Sequence, residues 1–67
     1  MTNPDNDFVD VHLLLTREQA WAVAELCKRI GWTDIRQLSA TDDETDRAQT
    51  ALMVLAKELA RVGFSPR

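Results

Sequence analysis

The chain has 67 residues, with eleven acidic and eight basic side chains, one histidine, one cysteine and a hydrophobic fraction of 45%. This length allows one domain, and a chain of this size buries only about 60% of its unfolded surface. A single cysteine excludes an internal disulfide, and one cysteine with one histidine cannot supply a four-ligand zinc site. We therefore expect no metal and no cofactor, and we expect a partner chain to provide the missing stability.

The net charge of −3 argues against nonspecific nucleic-acid binding, which needs clustered Lys and Arg. No apolar run approaches the roughly 20 residues of a membrane span. The opening residues, MTNPDNDF, lack the basic and apolar character of a signal peptide. These features predict a cytoplasmic protein with a reduced thiol and no membrane association.

The chain divides into two parts. Residues 1–7 are polar and predict a flexible arm, and residues 8–67 predict a single small α+β domain. Residues 8–15 alternate with a period of two and are rich in β-branched side chains, which predicts a β-strand. One face of this strand would carry Val9, Val11, Leu13 and Leu15, and the other Phe8, Asp10, His12 and Leu14.

A first helix is predicted directly after the strand. Thr16 and Gln19 have the spacing of a capping box, the helix runs to about Ile30, and Gly31 stands at the position of a C-terminal glycine cap. Placing the residues at 100° steps gives a single apolar arc that should face the core. This arc contains Ala20, Val23, Ala24, Leu26, Cys27 and Ile30.

One tryptophan, Trp21, lies within this helix and the other, Trp32, lies just after it, and the sequence predicts different roles for them. Trp21 falls opposite the apolar arc, where it is a candidate interface anchor. Its alternatives are a cation–π contact with Arg17 and coverage by the strand or the arm. Trp32 follows the glycine and is predicted to pack into the core against Cys27 or Leu26.

The second half of the chain predicts a short helical turn and a long helix. The turn would be capped by Thr33, with Ile35 and Leu38 pointing inward. Thr41 and Glu44 repeat the capping-box spacing, and Gly63 ends the last helix near Val62. Its inner stripe would be Ala48, Ala51, Leu52, Leu55, Ala56, Leu59 and Val62, while Met53 and Val54 point elsewhere.

An acidic run lies at the start of the last helix, and it has two interpretations. It consists of Asp42, Asp43, Glu44 and Asp46. The simpler interpretation is a favourable interaction with the helix dipole together with solvated charge. As a functional acidic surface, the same carboxylates would mimic spaced phosphates towards a basic partner.

A lone strand leaves backbone N–H and C=O groups unpaired along both edges. The first solution is a homodimer through residues 8–15, with two copies antiparallel about a two-fold axis. The alternative is an edge held for a target protein by β-augmentation. The predicted interface residues are Val9, Val11, Leu13, Trp21, Met53 and Val54.

The predicted fold class is therefore α+β: one β-strand, then two main α-helices with a short helical turn between them, and the strand paired across a dimer. This β-α-α order resembles the ribbon-helix-helix DNA-binding dimers over residues 8–62. The resemblance implies a transcriptional regulator whose outward strand residues read bases. Asp10 would then face bases and phosphates with the wrong sign, so direct nucleic-acid binding is the alternative function.

The segment LTREQAWAVAELCKRIGWTDIR, with a terminal GFSPR, is similar to short uncharacterised proteins of phages and integrated mobile elements. That resemblance implies an accessory protein that inhibits or modulates a basic host protein by occupying its nucleic-acid site, as some anti-CRISPR proteins do. The sequence contains no glycine-rich phosphate loop and no nucleophile motif. We expect an acidic protein-interaction module rather than an enzyme.

Overall fold

A computed structural model describes residues 7–67, and these residues form three α-helices: α1 (Arg17–Arg29), α2 (Trp32–Gln37) and α3 (Asp42–Arg61). Both α1 and α2 pack against α3. The predicted α+β class and β-α-α order are wrong, because no residue from 7 to 67 lies in a strand. The predicted arm lies outside the described residues, except for Asp7.

The segment 8–15 has no regular secondary structure although its sequence alternates. A strand is defined by hydrogen bonds to a neighbouring strand. Every other element of the described chain is a helix, so one copy offers no such neighbour. None of the backbone hydrogen bonds within residues 7–67 involves this segment. The predicted strand is therefore wrong for a single copy, and pairing of this segment with a second copy or a target stays a prediction.

Local capping interactions fix the start of α1 as predicted. The Gln19 N–H donates to the Thr16 hydroxyl at 3.0 Å, and the Thr16 N–H donates to the Gln19 side chain at 3.0 Å. At the other end Gly31 has a φ of −103°, so it does not take the left-handed conformation of a glycine cap. It instead precedes α2, and its N–H donates to the Asp34 carboxylate at 2.9 Å.

The buried face of α1 is rotated relative to the predicted arc. Ala20 and Ala24 are buried, whereas Leu26, placed near one edge of that arc, is 54% exposed. Small alanine side chains let two helices approach closely, so α1 meets α3 through them. The face therefore shifts towards the side of the helix that carries Trp21.

The short α2 matches the prediction in one of its two inward residues. Ile35 is buried, but Leu38 is 85% exposed at the C-terminal end of the helix. Trp32 is the first residue of α2 rather than a core residue, and its indole N–H donates to the Asp46 carboxylate of α3 at 2.9 Å.

Capping interactions also mark both ends of α3. The Thr41 hydroxyl accepts from the Glu44 N–H at 3.1 Å. At the other end Gly63 takes a φ of 104°, and the Phe64 N–H donates to the Leu59 carbonyl at 2.8 Å, which is a Schellman motif. Of the predicted inner stripe, Leu59 is buried, and Ala51 and Val62 are exposed.

The core between α1 and α3 is small. It contains Ala20, Ala24 and Leu59, with half-buried side chains packed around them from Val23, Leu55 and Phe64. Two of its three fully buried members are alanines, which bury little apolar area. A single copy therefore has the marginal core expected of a chain this short.

Candidate interaction surface

Within residues 7–67 the two most exposed large apolar side chains lie in the segment 8–15: Leu14 is 100% exposed and Phe8 89%. Val9, Val11 and Leu13 are also mostly exposed, whereas Leu15 is 37% exposed. Single exposed apolar residues are normal on a protein surface, but contiguous apolar patches mark interaction sites. The segment 8–15 is therefore the first component of a candidate interaction surface.

A groove with a volume of about 970 Å³ runs between this segment, the start of α1 and α3. Its lining is mostly apolar. The segment contributes Val9, Val11, His12, Leu13, Leu14 and Leu15, and α3 with its C-terminal cap contributes Ala51, Val54, Leu55, Glu58, Leu59, Arg61 and Val62; Arg17, Ala20 and Phe64 complete it. We call this feature the α3 groove.

Three of the charged residues along the α3 groove have defined interactions. The Arg61 guanidinium donates from Nε to both Glu58 carboxylate oxygens, at 3.0 and 3.1 Å. This hydrogen bond lowers the pKa of the Glu58 carboxyl and raises the pKa of Arg61. Arg17 lies 5.8 Å from the centroid of the Phe64 ring and forms no ion pair with a carboxylate of residues 7–67. Arg17 is therefore the cation available to an incoming acidic group.

Trp21 does not itself line the α3 groove, but it contacts Phe64, a groove residue of the C-terminal segment. Its ring meets the Phe64 ring edge to face, with centroids 5.1 Å apart, and it remains 42% exposed. The Arg17 guanidinium lies over Phe64 and not over Trp21. The structure thus places this tryptophan at the junction of α1 with the chain end, and its role as an interface anchor stays a prediction.

Three of the four carboxylates in the acidic run interact within the chain. Asp42 pairs with Arg36 at 2.5 Å, and Asp46 accepts from the Trp32 indole. The Glu44 carboxylate accepts from the Ala40 N–H at 3.2 Å. Only the fourth, Asp43, has no side-chain hydrogen bond or ion pair within residues 7–67. These contacts favour helix capping and helix docking as the role of the run.

Cys27 lines a second, smaller cavity of about 180 Å³ between α1, α3 and the C-terminal segment. Partial burial raises the pKa of its thiol, which disfavours the thiolate form. Within residues 7–67 no three His, Cys, Asp or Glu side chains are grouped so that they could hold a metal ion. No helix in the same range is long and apolar enough to cross a membrane.

Residues 1–67 match the model of a family of unknown function, DUF7706. The chain belongs to this family. No curated protein and no solved structure matches the chain. Membership in DUF7706 therefore assigns no activity to these residues.

The predicted interface residues of this DUF7706 chain fall into two groups. Val9, Val11, Leu13 and Val54 line the α3 groove, whereas Trp21 and Met53 do not, and their role in an interface stays a prediction. Leu14, which lies in the predicted interface segment 8–15, and Phe64, which is not among the predicted interface residues, also line the groove. The signal for Phe64 was its position directly after the helix-ending Gly63, which returns the chain towards α1.

Proposed function

We propose that this chain is a small protein-interaction module that works as a homodimer, assembling through the segment 8–15 and the α3 groove. One observation supports the proposal above all. The segment exposes its apolar side chains beside an apolar groove of the same molecule, while the core of a single copy is small.

Energetics favour a second copy as the partner. Burying a Val, Leu or Phe side chain contributes about 1.5–3 kcal/mol, and the segment offers several such side chains. Folded domains are stable by only about 5–15 kcal/mol, so the surface buried in a dimer is a large fraction of the total. A two-fold interface buries the same patch on both copies, which doubles the gain.

Sedimentation equilibrium tests this proposal directly. The wild-type chain should sediment as a dimer at micromolar concentration. Val11→Asp should convert it to a monomer, because the carboxylate would be buried in the interface. Leu38→Asp is the matched control. The Leu38 side chain is more exposed than that of Val11 but lies outside the α3 groove, so this variant should remain dimeric. A wild-type chain that stays monomeric over this range contradicts the proposal.

A wider proposal, in which the dimer serves a mobile element by binding a host protein, rests on the sequence resemblance alone; the family match gives neither an origin nor a function. The acidic run is the surface that the sequence suggests for a basic partner. Its internal contacts leave Asp43 as the one carboxylate of the run without a side-chain partner in residues 7–67. A pulldown from host lysate beside a gel shift separates this role from operator binding, because only a DNA reader shifts labelled DNA with steep salt dependence.

A further inference from the structure

We infer that the α3 groove of each copy is filled by the segment 8–15 of the other copy, so that two chains exchange these segments reciprocally. This inference rests on the proposed homodimer and specifies which surfaces of the two copies contact each other. A homodimer has another possible arrangement, in which the α3 helices of two copies contact each other and the segments stay on their own subunits.

The chemistry of the α3 groove matches the segment. The wall formed by α3 and its cap presents Ala51, Val54 and Val62, all exposed to solvent in a single copy. Apolar side chains at alternate positions of the segment would cover such a wall. The groove volume of about 970 Å³ gives room for several side chains at once.

Charge complementarity also supports the match between the segment and the α3 groove. Arg17 lies on the groove wall and has no carboxylate partner within residues 7–67, whereas Glu58 and Arg61 neutralise each other. The segment carries Asp10, and Asp7 directly precedes it. Exchange brings these carboxylates to the groove of the partner copy, where Arg17 supplies the opposite charge.

The backbone of the segment sets a condition that the exchange must meet. Its N–H and C=O groups make no hydrogen bond within residues 7–67, and the segment is exposed to solvent in a single copy. Backbone groups that become buried need partners. The exchanged segment must therefore keep its backbone groups in water or pair them with groups of the other copy.

Disulfide cross-linking between two differently substituted chains tests the inference. Both chains carry Cys27→Ala, so that the natural thiol is absent. One chain carries Val11→Cys in the segment, and a second, tagged chain carries Val54→Cys on α3. Because the two cysteines are on different chains, a mixed disulfide reports contact between copies only. A disulfide forms where the two Cα atoms come within about 7 Å.

The matched control replaces Val54→Cys with Met53→Cys. These neighbours on α3 are 63% and 60% exposed, but only Val54 lines the α3 groove. Exchange predicts several-fold more mixed disulfide for the Val54 pair than for the Met53 pair. Repeating the experiment with Leu13→Cys in place of Val11→Cys guards against a local failure of one position.

Sedimentation of the same mixtures separates the two proposals. If the chains dimerise but the Val54 and Met53 pairs cross-link equally, the exchange inference is wrong and the homodimer stands. Chains that sediment as monomers overturn both. Strong cross-linking of Val54→Cys to itself, without cross-linking to the segment, identifies contact between the α3 helices and also overturns the exchange.

Discussion

Trp21 and Phe64 join the first helix to the end of the chain, with their rings edge to face and their centroids 5.1 Å apart. Such aromatic pairs contribute about 0.5–1.5 kcal/mol beyond the area they bury. A double-mutant cycle with Trp21→Ala and Phe64→Ala should therefore show a coupling free energy of about 1 kcal/mol in urea unfolding. Purely additive effects of the two substitutions would mean that the contact contributes nothing to stability.

The interpretation of Trp21 as an interface anchor adds a second measurement to that cycle. An anchor at a dimer interface costs about 2 kcal/mol or more of association when truncated. Sedimentation of Trp21→Ala measures this cost independently of unfolding. An interface confined to the α3 groove predicts that Trp21→Ala changes stability and leaves the dimer constant unchanged, whereas a weaker dimer would support the anchor.

The acidic run gives a matched pair of substitutions within one helix. Asp46 accepts from the Trp32 indole and thereby links α2 to α3, whereas Asp43 has no such bond within residues 7–67. Asp46→Ala should lower the free energy of unfolding by about 1 kcal/mol, the net value of a hydrogen bond. Asp43→Ala loses only a helix-dipole interaction of about 0.3–1 kcal/mol. Thermal melts at matched salt compare them, and a larger loss for Asp43→Ala would contradict the docking role.

The two glycines should respond differently to alanine. Gly63 has a φ of 104°, so Gly63→Ala costs backbone strain of about 1–2 kcal/mol even though the added methyl group would meet no neighbouring atom. At Gly31 the φ is −103°, and an added Cβ meets the Asp34 carboxylate at an ordinary 3.6 Å.

Two small effects should nearly cancel in Gly31→Ala. Alanine is the poorer N-cap residue, which costs about 0.5–1 kcal/mol. Its unfolded backbone has less conformational entropy to lose, which offsets about 0.4–1 kcal/mol. Urea unfolding should therefore show a clear loss for Gly63→Ala and little change for Gly31→Ala. Equal losses would disprove this contrast.

Helix boundaries could be predicted from the sequence because capping is local. Thr16, Thr41 and Gly63 act on groups within a few residues of themselves. Thr16 forms the full predicted capping box and Gly63 ends α3, whereas Thr41 caps α3 without the reciprocal bond, because the Glu44 carboxylate accepts from the Ala40 N–H. The orientation of α1 could not be predicted in the same way. The hydrophobic arc predicts that Leu26 is buried because it is a large apolar residue. In the structure α1 instead packs through Ala20 and Ala24, because small side chains permit close packing.

Only part of the α3 groove could be predicted from the sequence, for a related reason. Alternation in residues 8–15 identified the apolar segment, and the position of Val54 outside the predicted inner stripe of α3 identified one wall residue. The contribution of Phe64 depends on how the chain end folds over α1, which is a nonlocal contact. The strand prediction failed because pairing needs a second strand, and pattern alone does not supply one.

Val54 and Met53 provide the sharpest test of the α3 groove. They are adjacent on α3, similar in exposure and both outside the core, but only Val54 faces the groove. In a monomeric chain the new carboxylate of Val54→Asp or Met53→Asp stays in water. The two variants should therefore unfold at similar urea concentrations when the chain is kept monomeric.

Self-association should separate the two variants. Val54→Asp places a charge in the buried interface, and an unpaired buried charge costs several kcal/mol, so the dimer should dissociate by at least about tenfold more readily. Met53→Asp should keep the wild-type dimer constant. Sedimentation equilibrium over a concentration series measures both constants. Equal weakening by the two substitutions would place the interface on the whole outer side of α3 rather than in the groove, and no weakening by either would remove α3 from the interface.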